Sequence, residues 1–78
     1  TDNTAQKELE RMEKELSRTE KDLELAEEEV ANLEQELAKP EVYEATDKVA
    51  ALNEQFKAAQ DKVTALTELW ESLVMKMD

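Results

Sequence analysis

A heptad repeat runs almost the length of this 78-residue chain and is broken once, at its only proline. Before the break, apolar side chains fall at Leu9, Met12, Leu16, Leu23, Ala26, Val30, Leu33 and Leu37, with Thr19 in the one gap. After it the series reads Ala45, Val49, Leu52, Phe56, Ala59, Val63, Leu66, Trp70, Leu73 and Met77. Steps of three and four residues in turn place one apolar stripe on each helix, the seam of a coiled coil. Pro40 lacks an amide donor and crowds the turn before it, so the first helix is expected to end near Ala38. The pattern predicts an all-α fold in one domain, residues 1–78. Helix 1 covers about 5–38, a Pro-containing tip about 39–46, and helix 2 about 47–76. Thr46 or Asp47 is expected to cap the second helix.

Charge chooses how the two helices pair. The g positions of the first are Glu8, Glu15, Asp22, Glu29 and Glu36, and those of the second are Lys48, Gln55, Lys62, Leu69 and Lys76. Antiparallel pairing sets g against g, so acids meet lysines. The e positions set Glu13, Glu20, Glu27 and Glu34 against Asn53, Gln60, Thr67 and Val74, which avoids like charges. A parallel self-dimer of the first helix would face Glu with Glu. The expected fold is therefore a two-helix antiparallel coiled-coil hairpin. Two registers remain open. One sets Thr19 against Trp70 and leaves the first residues without a partner. The other sets Ala26 against Phe56 and allows the pairs Glu8–Lys76, Asp22–Lys62 and Glu36–Lys48. A single narrow seam makes for marginal stability in isolation.

The same composition excludes much chemistry. Without Cys or His there is no thiolate, no imidazole base and neither a thiolate nor an imidazole metal ligand. Without Gly there is no phosphate-cradling loop. The 21 Asp and Glu residues read as the solvated face of heptad helices. Even Glu27, Glu28 and Glu29 spread over roughly 200° of a helix and cannot converge on one ion. No catalytic, cofactor or metal residues are assigned, and this chain is not expected to be an enzyme by itself. A net charge of −11 disfavours non-specific binding to phosphate backbones and anionic membranes. No apolar run spans a bilayer, and Thr1 to Gln6 lack the regions of a signal peptide, so a cytoplasmic location is expected.

Three groups stand wholly or partly off the seam. Lys7, Arg11, Lys14, Arg18 and Lys21 recur at steps of four and three and form one basic stripe. They pair with neighbouring acids or contact nucleic-acid phosphates. Leu69, Trp70, Val74 and Met75 widen the apolar face near the C-terminal end and are candidates for protein contact. Val42 and Tyr43, beside Pro40, either fold back over the hairpin end or form a contact tip.

Several of these residues also match a known element. The segment Leu33-Glu34-Gln35-Glu36-Leu37-Ala38-Lys39-Pro40-Glu41-Val42-Tyr43 resembles the "LE-x-ELA-x-PE-x-Y" tip of the C-terminal coiled-coil domain in many ABC-F type ATP-binding cassette proteins. Leu66 to Leu73 is similar to that family's closing "L-x-x-x-WE-x-L", and Lys7 to Glu15 to its entry into the first helix. Leu69 departs from the Arg usual before that Trp. The resemblance spans roughly residues 7–75. It implies a non-catalytic binding or positioning arm at the C-terminus of a soluble ABC-F ATPase. Such an arm would contact ribosome, RNA or DNA, or brace its own ATPase cassettes, with weak self-association and no membrane partner. ATP and Mg would belong to the cassettes of the parent protein. The alternative is a structural coiled-coil oligomerisation module unrelated to ATPases.

Overall fold

The computed structural model describes residues 2–77. It contains α1 (Asp2–Leu37), α2 (Pro40–Tyr43) and α3 (Thr46–Met77). The two long helices pack against each other as an antiparallel hairpin, 63 × 15 × 14 Å in extent. At 1.5 Å per residue, α1 alone accounts for about 54 Å of that length. The fold is the all-α coiled-coil hairpin that the heptads predict.

From Met12 to Met77 every seam residue of both helices is buried or half-buried. Thr19, Ala26 and Leu33 of α1 and Ala59 and Leu73 of α3 are most enclosed. The register is the one that sets Thr19 against Trp70. The indole Nε1 of Trp70 donates to Glu20 Oε2 at 3.1 Å. Thr19 and Leu69 line one surface groove, and Leu23, Thr67 and Trp70 another. In this register Leu9 lies beyond the end of α3 and stays half exposed.

A threonine in an apolar seam needs a partner for its hydroxyl. Thr19, 5% exposed, donates Oγ1–H to the Glu15 carbonyl at 2.7 Å, one turn back in its own helix. Its short side chain leaves room for the large ring opposite. Large–small complementarity of this kind distinguishes one heptad register from the next, which the repeat alone does not.

The turn forms without a left-handed residue among those described. At the end of α1 the Ala38 amide reaches Glu34 and Gln35, and the Lys39 amide reaches the Glu36 carbonyl at 3.2 Å. Lys39 is extended (φ −73°, ψ 131°), as a residue before proline must be. Pro40 then starts the single turn α2, where its missing amide costs nothing. The amides of Val42 and Tyr43 both reach the Lys39 carbonyl, at 3.0 and 3.1 Å. Val49 donates to the Ala45 carbonyl at 3.0 Å. Ala45 therefore holds the cap position of α3, and it has no side-chain acceptor. Thr46 and Asp47 lie inside the helix instead of capping it. Asp47 keeps a favourable place in the first turn, at the positive end of the helix dipole.

The interhelical acid–lysine pairs differ from expectation. Among the described residues the one ion pair within 4.0 Å is local, Lys39 Nζ to Glu36 Oε1 at 2.7 Å. Glu29 and Lys62 line a common groove across the seam without closing to that distance. Exposed lysines lose side-chain entropy when held in one geometry, so charge here favours an orientation without fixing contacts.

Candidate functional site

The basic stripe lies on the outside of α1, at heptad positions c and f. Lys7, Arg11, Lys14, Arg18 and Lys21 are all exposed. None is in an ion pair within 4.0 Å among the described residues. The five charges span about 21 Å of helix. They are thus free for an outside anion, and Arg18 also lines a groove, beside Asp22 and Leu69.

The four apolar residues near the end of α3 do not form one surface. Leu69, 48% exposed, sits on the g flank with Glu15 and Asp22. Trp70 is half buried, and its indole edge reaches the opposite, e flank, beside Glu20 and Glu24. Val74 is half buried. Met75, 76% exposed, points away from both flanks. At 3.6 residues per turn, Leu69 and Met75 stand about 120° apart around α3. Spacing in sequence grouped them; the seam divides them.

The tip divides too. Val42 is 6% exposed and packs over the start of α3, whereas Tyr43 is 57% exposed. Val42 therefore caps the hairpin and Tyr43 does not. Beside them, the hydrogen bond that Lys39 donates to Glu36, followed by the charge of that carboxylate, raises the pKa of Lys39 above the usual lysine value. Among the described residues, no group of three or more acids gathers closely enough to hold a metal ion. Among the described residues no helix is long and apolar enough to cross a membrane.

The sequence model of the family described as ABC transporter C-terminal domain matches residues 3–75. The chain belongs to that family. The match takes in both seams, the tip and Trp70, so the hairpin as a whole is the C-terminal domain of an ABC protein. No curated protein and no solved structure matches it. For this C-terminal domain the surfaces that remain are the outer stripe, the exposed Tyr43 and the two flanks of the seam. The flanks differ in charge, a feature that none of the residues singled out as off the seam carries. Its signal is present in the heptad letters, since e positions carry Glu on α1 with no compensating Lys on α3.

Proposed function

We propose that this domain is a non-catalytic positioning arm of an ABC-F type ATPase, which touches nucleic acid, ribosomal RNA or DNA, along the stripe Lys7 to Lys21. The observation that supports this most is the stripe itself, five exposed cations without ion pairs on a rigid rod. They stand apart from the acidic e flank, so a phosphate backbone on the c and f side avoids much of the net charge of −11. ATP, Mg and hydrolysis belong to the cassettes in this reading, with the arm working in the cytoplasm.

The test is a titration of the chain against duplex DNA, single-stranded DNA and ribosomes in a salt series. Five phosphate contacts give a log–log salt slope of about −4.5 for duplex and about −3.5 for single strands. Replacing the five cations by Gln abolishes the binding. Absence of binding to all three overturns the contact role. A second reading, bracing of the cassettes, is favoured by the exposed Leu69 and Met75, and would show as ATPase activity lost with the arm and not with the stripe variant.

A further inference from the structure

The register makes the two flanks of the rod unequal. On the g flank Glu15, Asp22 and Glu29 face the α3 side that carries Lys62 and Lys76, with Arg11 and Arg18 just outside. On the e flank Glu13, Glu20, Glu27 and Glu34 face Asn53, Gln60, Thr67 and Val74. The adjoining b positions add Glu10, Glu24 and Glu71 against one cation, Lys57. Most of the net charge of this chain therefore lies along one side.

That side is also grooved. Two shallow clefts meet at Glu27 and run end to end along it. Half-buried Leu23, Val30, Val63 and Trp70 form the floor, and exposed Glu20, Glu24, Glu34 and Asp61 stand on the rim. The lined stretch from Glu20 to Glu34 is about 21 Å long, the length of a helix of about two heptads.

We propose that this groove receives a basic amphipathic helix from a protein partner, packed as a third strand. Its apolar stripe covers Leu23, Val30, Val63 and Trp70. Its Lys or Arg side chains, at heptad spacing, meet Glu20, Glu27 and Glu34. Charge decides the occupant. An acidic helix, including α1 of a second copy, is repelled by the rim, and a nucleic acid is repelled and has nothing to set on an apolar floor. A neutral apolar helix would leave the glutamates unmatched and the register along the groove unspecified. This inference is independent of the stripe and of its reading as a nucleic-acid contact.

The sole Trp of the chain lies in the groove and reports on it. The probe is a synthetic peptide of about three heptads, Leu at a and d, Lys at e and g, without aromatic residues. It is expected to shift Trp70 emission to the blue on binding the 78-residue chain. The triple variant Glu20→Gln, Glu27→Gln, Glu34→Gln, checked for unchanged helicity by circular dichroism, is expected to bind about tenfold more weakly. Lys48→Gln with Lys62→Gln and Lys76→Gln, on the other flank, leaves the affinity unchanged. Equal binding by a peptide with Ser in place of Leu overturns the proposal, as does a gain in affinity from the lysine triple variant as large as the loss from the glutamate one, since each outcome means attraction to the rod's general field. A concentration-dependent dimer whose Trp70 is already shielded overturns it in favour of a second copy.

Discussion

Trp70 reaches across the seam to Glu20, and Thr19, its counterpart in the register, is tolerated in the seam because its hydroxyl donates to the Glu15 carbonyl. Trp70→Ala removes the largest ring of the seam and is expected to lower unfolding free energy by about 3 kcal/mol, the lower end for a large aromatic because the ring is half buried. Urea denaturation followed by helicity measures it. Thr19→Leu is expected to cost about 1–3 kcal/mol by overfilling the notch beneath the ring. At the tip, Lys39 titrates above its ordinary value because it is hydrogen-bonded to Glu36. A raised lysine pKa favours the folded tip below the ordinary value, and that contribution is lost as pH climbs through the raised one. Both side chains are half exposed, so the pair reports local geometry more than stability. An NMR titration of the Lys39 ε-methylene is expected to show a midpoint that falls when Glu36→Gln removes the partner.

At the scale of elements, the chain makes a sharp reversal without glycine by placing one helical turn between two bends. Pro40 fixes the start of that turn and Val42 fastens it to α3. Val42→Ala is expected to cost about 1.5 kcal/mol, two methylene equivalents lost from a buried site. Tyr43→Ala is expected to change stability by less than about 0.5 kcal/mol, as for other exposed side chains. Thermal unfolding of the pair of variants separates the capping residue from the exposed one. The two long helices and their direction were legible in the sequence, since heptad spacing and the charges at e and g are written residue by residue. The facing of Val42 and Tyr43 was not, because a single turn has no period to read. The apolar group at 69–75 is legible as a widening of the stripe, but which of its members stay exposed is not, because positions e and g look alike until the partner helix is in place. Helix capping by Thr46 or Asp47 failed for a related reason: α2 delivers the chain so that Ala45 arrives first.

As a whole molecule the domain is a rod with unlike sides, and both functional readings use that asymmetry. The cations of α1 lie on the outside, where a phosphate backbone can follow them, while the carboxylates of the e flank rim an apolar groove. Removing the arm's basic stripe and removing its acidic rim should therefore have separable effects in binding assays. Each assignment depends on which residues of α1 stand opposite which residues of α3, and a slip by one heptad would keep the seam while moving every groove partner by about 10 Å. The chain has no native Cys, so paired cysteines can read the register directly. In the register described, Val30→Cys with Ala59→Cys is expected to form a disulfide under mild oxidation, and Val30→Cys with Leu52→Cys is expected to remain reduced, since its sulfurs lie beyond bridging distance. Closure of the 30–52 pair with the 30–59 pair left open would contradict the hairpin register, and with it the groove and the two-sided rod.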